Sequence, residues 1–192
     1  MQISYYAILA FLFLSCSSPN SGEQGVGLKK QTSDNRYQNA DTGGLNQNQP
    51  ITQIDTKATT PQELMAFATT LKGIPYKYGS VNPAEGFDCS GFITYVFNHF
   101  KIGVPRSSVD FTHVKHEIEL KEAKTGDLIL FTGTDSTVKV VGHMGILIAA
   151  PGQPVSFIHS TSGKAYGVTE TPLNAYYMGR YMKTIRVFSQ NN

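Results

Sequence analysis

An α+β fold, with helices packed on a central antiparallel sheet, is what residues 58–192 predict. Three observations carry this. Apolar residues recur at helical spacing only up to about residue 115. After Gly126 the pattern changes to short apolar runs bounded by Gly and Pro. Helical segments come first and strand-like segments follow one another directly, which favours an antiparallel sheet with helices laid on it.

The elements follow in order. Thr60-Pro61-Gln62-Glu63 is a helix start: Thr60 caps, Pro61 suits the first helical position, and Glu63 completes a capping box. Leu64, Phe67, Ala68 and Leu71 continue at helical spacing, and Gly73 with Pro75 ends the helix. A loop from Pro75 to Phe87 leads to a second helix near Asp88-Cys89-Ser90, with an apolar face of Phe92, Ile93, Val96, Phe97 and Phe100. Gly103 and Pro105 close it. Ser107 or Ser108 caps a third helix running to about Lys115. Five strands are then expected: Asp127 to Phe131, Val138 to Ala149, Val155 to His159, Gly167 to Thr169, and Lys183 to Phe188.

The whole chain has 192 residues, 40% apolar and 16% charged, with a net charge of +2. One domain of ordinary size fits this length. So small and mixed a charge gives no footprint for nucleic acid. Two cysteines do not make a disulfide scaffold. Residues 1–15 hold a short apolar stretch, Tyr5 to Leu14, too short for a spanning helix of about twenty residues but suited to a secretory leader. Ser15-Cys16 at its end resembles the lipobox of bacterial lipoproteins, although Phe13 replaces the usual Leu and no Lys or Arg precedes it. That resemblance implies cleavage before Cys16, lipidation of its thiol, and a place in the cell envelope, anchored to a bacterial membrane and facing the periplasm or exterior. Residues 16–57 are rich in Asn, Gln, Gly, Ser and Thr and lack apolar periodicity, so they are expected to form a flexible tether. The alternative is an arm that docks Ile51 and Ile54 on the domain.

Chemistry concentrates at Cys89. A helix N-terminus presents unpaired N–H groups, which favour a thiolate. His143 lies within one expected strand and His159 ends the next. If these strands are antiparallel neighbours, both imidazoles share a sheet face, and a helix packed on that face aims Cys89 at them. Nucleophile, base and orienting group are then assembled.

Several blocks together resemble the NlpC/P60 cysteine peptidases: Gly73-Ile74-Pro75-Tyr76-Lys77-Tyr78-Gly79, Asp88-Cys89-Ser90-Gly91-Phe92, Val104-Pro105-Arg106-Ser107-Ser108, Gly126 to Phe131, His143 to Ile148, and Phe157 to Thr161. The resemblance covers about residues 62–188. It implies a permuted papain-like fold and a monomer that hydrolyses the γ-D-glutamyl bond to diaminopimelate or lysine in peptidoglycan stem peptides, in murein remodelling or recycling. It implies Cys89 as nucleophile, His143 as base, His159 as third polar residue and Tyr76 at the oxyanion. It places Asp88, Ser90 and Arg106 around the amino-terminal end of the stem. No cofactor or metal is implied. The sequence departs from the family pattern at Lys77-Tyr78-Gly79-Ser80, at the extra residues Ala150 to Pro154, and in having no separate wall-binding module ahead of the catalytic unit.

Taken singly, these residues have plainer readings. Tyr76 suits a packed loop, Asp88 and Ser90 suit a helix cap, and Arg106 suits the surface. His99, His113 and His116 have no partner set. His116-Glu117 begins a false zinc motif, since Leu120 stands where the second histidine belongs. An amidase or acyltransferase using the same Cys–His pair, and a non-catalytic lipoprotein that binds peptidoglycan, are the competing functions.

Overall fold

The computed structural model describes residues 50–191. The leader, Cys16 and most of the tether lie outside the described residues.

Helix α1 spans Pro61–Thr70. Its capping box is complete: the Thr60 hydroxyl accepts from the Glu63 N–H, and Glu63 Oε2 accepts from the Thr60 N–H at 2.8 Å. Leu64, Met65 and Ala68 face inward. Helix α2 spans Cys89–His99 and buries Phe92, Ile93, Val96 and Phe97. The expected third helix is a short 3₁₀ segment, Ser108–His113, in which only Phe111 is buried. One anchoring side chain supports about one turn, not a longer amphipathic helix.

Six strands form one antiparallel sheet: β1 (Glu117–Ile118), β2 (Leu128–Thr132), β3 (Val141–Ile148), β4 (Ser156–Thr161), β5 (Gly167–Pro172) and β6 (Tyr181–Ile185). Their order is β1-β6-β2-β3-β4-β5. A single turn of helix, α3 (Ala175–Met178), precedes β6 and was not expected. The α+β architecture with an antiparallel sheet is as the sequence predicts.

Strand β2 is buried at every position. Leu128 and Leu130 join the main core with both helices, while Ile129 and Phe131 turn to a second cluster with Leu147, Phe157 and Tyr177. The sheet is therefore covered on both faces. The folded unit also begins before residue 58. Ile54 is buried in the main core, and the Thr52 carbonyl accepts from the Lys115 N–H at 2.8 Å. The arm docks at Ile54 as the docked-arm alternative expects, each buried methylene favouring it by roughly 0.8 kcal/mol, whereas Ile51 stays exposed.

Candidate active site

Two chain segments pinch the start of α2 into place. Asp88 is its N-cap and accepts from the Gly91 N–H. The Asp88 N–H donates to the Ser80 carbonyl. A Cβ on residue 91 would stand 2.1 Å from that same carbonyl oxygen, so the approach requires glycine here.

The helix start enters a gap in the sheet. Strands β3 and β4 are paired only from Ile146↔Ile158 to Ile148↔Ser156. Ahead of that ladder, the Cys89 thiol donates to the Gly142 carbonyl of β3 at 3.9 Å, and the Ser160 hydroxyl of β4 donates to the Phe87 carbonyl at 2.7 Å. Residues 87–89 thus occupy the opening between the two strands. Cys89 and His143 both line a cleft of about 960 Å³, together with Tyr76.

His143 and His159 share a sheet face, as expected. The helix does not pack there. Met144, Ile146 and Ile158 face α2, whereas His143 and His159 alternate to the other side, against Phe131, Phe157 and Tyr177. Cys89 instead meets the β3 edge at Gly142, where the start of α2 enters the gap, and shares the cleft lining with His143. Glycine makes this face possible as well. A Cβ at Gly145 would lie 2.6 Å from the Phe157 ring, 2.9 Å from the Ile158 carbonyl oxygen and 3.2 Å from His159 Cβ.

The imidazoles form a chain. His143 Nε2 lies 2.7 Å from His159 Nδ1, and His159 Nε2 lies 2.9 Å from Thr171 Oγ1. One tautomer set leaves His143 able to accept a proton at Nδ1: Nε2–H donates to His159, and His159 Nε2–H donates to Thr171. Thr171 and Tyr177 are site residues that the sequence did not reveal. Neither lies in a motif, and each acts through tertiary contact alone. The Tyr177 ring stacks on His143 at 6.2 Å and meets His159 edge-on at 5.6 Å.

The electrostatics run against the expected thiolate. Burial pushes the Cys89 thiol up to about 11, and the nearby Asp88 carboxylate adds to this. N–H groups of Ser90, Met144 and Cys89 oppose the rise without cancelling it. Burial, then His159 and Arg180, holds His143 well below the usual imidazole range. Burial and Arg180 bring His159 down to about 3. Both shifts favour the uncharged forms of thiol and imidazole. Desolvation of the charged forms outweighs the helix terminus.

Tyr76 is pinned by its backbone: its N–H donates to the Tyr166 carbonyl, and residue 76 bridges to Phe87. Burial, reinforced by Cys89 and Asp88, raises its phenol, so the hydroxyl keeps its proton. Asp88, Ser90 and Arg106 are brought together as one network. Arg106 holds Asp88 through Nη2–Oδ2 at 2.9 Å and Nη1–Oδ1 at 3.2 Å, and reaches Ser90 Oγ at 3.1 Å. These three lie outside the lining of the large cleft. Among the described residues, no group of three or more His, Cys, Asp or Glu is placed to hold a metal ion.

The family model for NlpC/P60 matches residues 73–187. The chain belongs to the NlpC/P60 family. Among curated relatives, the γ-DL-glutamyl hydrolase of Bacillus subtilis is 34% identical over 129 residues, which is 67% of this chain and 30% of that protein. The murein DD-endopeptidase MepS/murein LD-carboxypeptidase of Escherichia coli K12 is 27% identical over 190 residues, 95% of this chain and 90% of that protein. The chain spans about a third or less of the first relatives it matches, at 30%, 26% and 32% of their lengths. Solved NlpC/P60 structures agree with the fold. A Staphylococcus aureus Mu50 protein described as similar to lipoprotein superposes with a TM-score of 0.57 at 30% identity, covering 68% of this chain and 42% of that one. A Bacillus cereus ATCC 10987 family protein gives 0.60 at 26% identity, covering 69% and 42%.

Proposed function

We propose that this NlpC/P60 chain is a cysteine endopeptidase that cuts the γ-D-glutamyl bond to the third residue of peptidoglycan stem peptides. The observation that carries the reading is the thiol of Cys89, held in a cleft at a helix N-terminus against the edge of β3, beside a buried histidine whose far nitrogen is already committed to His159. The murein endopeptidase name of one relative supports the polymer, and the γ-DL-glutamyl hydrolase name of another supports the kind of bond.

The chemistry follows from the resting charge state. A thiol near 11 beside a weakly basic imidazole does not ionise in advance. Its proton passes to His143 Nδ1 as sulfur bonds to the γ-carbonyl carbon of D-Glu. The Cys89 N–H, in the first helical turn, has no intrahelical acceptor and faces the developing oxyanion with the Tyr76 hydroxyl. Each such donor lowers the barrier by about 3 kcal/mol. His143 then protonates the departing amine, the C–N bond breaks, and a thioester remains on Cys89. Water, deprotonated by His143, releases the acyl group and restores the thiol.

His159 stays neutral throughout and fixes the His143 ring, which a polar group without charge suffices to do. Asp88, Ser90 and Arg106 are assigned to the amino-terminal end of the stem. Their place beside Cys89 supports this, as does an Arg106 side chain that is 42% exposed. Cys16, lipidated, would hold the enzyme at the envelope membrane.

Digestion of purified muropeptides by the protein and by Cys89→Ala, read by mass spectrometry, tests the reading. Products ending in D-Glu, absent with the variant, are expected. Release of stems at the sugar–L-Ala amide, or cleavage confined to the D-Ala cross-link, would replace it with a different bond.

A further inference from the structure

Arg180 is 7% exposed and stands within the cleft lining. Among the described residues no carboxylate pairs with it. Its Nε donates to the Gly133 carbonyl, Nη2 to the Thr132 carbonyl and Nη1 to the Tyr176 hydroxyl, each at 2.8 Å. A guanidinium has five N–H donors, so one N–H remains on each of Nη1 and Nη2. The ring of Tyr176 lies 5.0 Å from Cζ and that of Tyr177 lies 5.7 Å from it. Aromatic faces and three neutral acceptors compensate a buried cation only in part. A role in tying down the end of β2 needs only the bonds to Thr132 and Gly133. Two donors are thus left without a protein acceptor, on a buried cation that lines the cleft.

The rest of the cleft has the same sign. Its lining includes Lys164 and Arg180 and not one Asp or Glu. Arg180 also lies on a definite side of the reaction. It packs on Tyr177, which stacks on His143. His143 is the group that protonates the departing amine, so the leaving residue must sit next to it.

We propose that Arg180, assisted by Lys164, forms a carboxylate-binding subsite for the residue on the leaving-group side of the scissile bond. The inference rests on the endopeptidase reading above and adds what that reading leaves open. A third stem residue with a side-chain carboxylate, such as diaminopimelate, fits this wall. Lysine, which presents only an ammonium there, is repelled by it.

Three tripeptides test this: L-Ala-γ-D-Glu-diaminopimelate, the same peptide with the side-chain carboxyl amidated, and L-Ala-γ-D-Glu-L-Lys. Their affinities for Cys89→Ser are measured by calorimetry and their cleavage by the unaltered protein is followed by chromatography. The free carboxylate is expected to bind at least about tenfold tighter than either counterpart, each of which carries a side-chain ammonium and no side-chain carboxylate, the order of one charge-assisted hydrogen bond. Lys164→Ala and Arg180→Gln should each shrink that ratio. The first sits on an exposed loop and keeps the test valid if the second unfolds. Equal affinities with normal cleavage of all three would overturn the subsite and leave the endopeptidase reading standing. Preference for the free carboxylate without cleavage would uphold the subsite and overturn that reading. Binding of none would overturn both.

Discussion

Replacing His159 by Ala removes the acceptor that lies 2.7 Å from His143 Nε2. His143 is buried, and leaving its N–H without a partner costs about 1–3 kcal/mol. The bond matters most when His143 carries the proton, because the donor is then a cation and the bond is roughly twice as strong. A loss near 2.7 kcal/mol in the transition state corresponds to about a hundredfold in kcat/KM. His159→Asn offers an amide oxygen near the position of Nδ1 and should recover activity to within about tenfold of the parent. Stability is a separate matter. The His159 ring is fully buried, 4.5 Å from the Phe157 ring centroid, and its removal leaves a cavity worth about 2–4 kcal/mol. Both variants are therefore assayed for stem-tripeptide cleavage at a temperature where circular dichroism shows each fully folded. A folded Ala variant with parental kcat/KM would refute the orienting role. So would an Asn variant as impaired as the Ala variant.

Acid should unfold the protein early. Both imidazoles are held neutral in the folded state, one down to about 3, whereas the unfolded chain binds protons below about 6.5. Stability is complete above that value and is lost as pH falls from about 6.5 towards 3, by up to about 1.4 kcal/mol per pH unit for each histidine. Urea midpoints from pH 8 to 5 should show this slope, and His159→Asn should reduce it; a flat profile would contradict it. Alkylation of Cys89 by iodoacetamide should keep accelerating through pH 9 and 10, because burial holds the thiol near 11. A plateau by pH 7 would instead mark a pre-formed ion pair. Gly145→Ala places a methyl 2.9 Å from the Ile158 carbonyl oxygen, which cannot retreat without opening the β3–β4 ladder. It should cost about 1–3 kcal/mol in thermal or urea unfolding and lower turnover further. Parental behaviour in both would show that the strands have more slack than these distances allow.

Local sequence signals account for much of this. The Thr60 capping box, the Asp88 cap and the apolar face of α2 depend on residues a few positions apart, and each is found where the chain predicts it. That His143 and His159 share one sheet face was also legible, since strands bounded by Gly and Pro put them there. What the chain does not state locally is which covering lies on which face. Both faces of β2 are apolar, so the pattern alone does not say that the imidazoles turn away from α2. The charge of the thiol is hidden for the same reason: the helix terminus is a local feature, desolvation is the sum of everything packed around it. The four-residue helix α3 is too short to show a period. Thr171 and Arg180 reach the cleft only when β5 pairs with β4 and β6 with β2, far apart in the chain from His143. Ile54 looked isolated in a polar stretch, and its partners lie elsewhere in the chain.

The most direct measurement is the mass of the enzyme during turnover. After rapid acid quench with the stem tripeptide, the account predicts a dipeptidyl thioester, L-Ala-γ-D-Glu less one water, on the proteolytic fragment that contains Cys89, and its absence in Cys89→Ala. Turnover that proceeds with Cys89 never acylated, or that survives its replacement, would contradict the account.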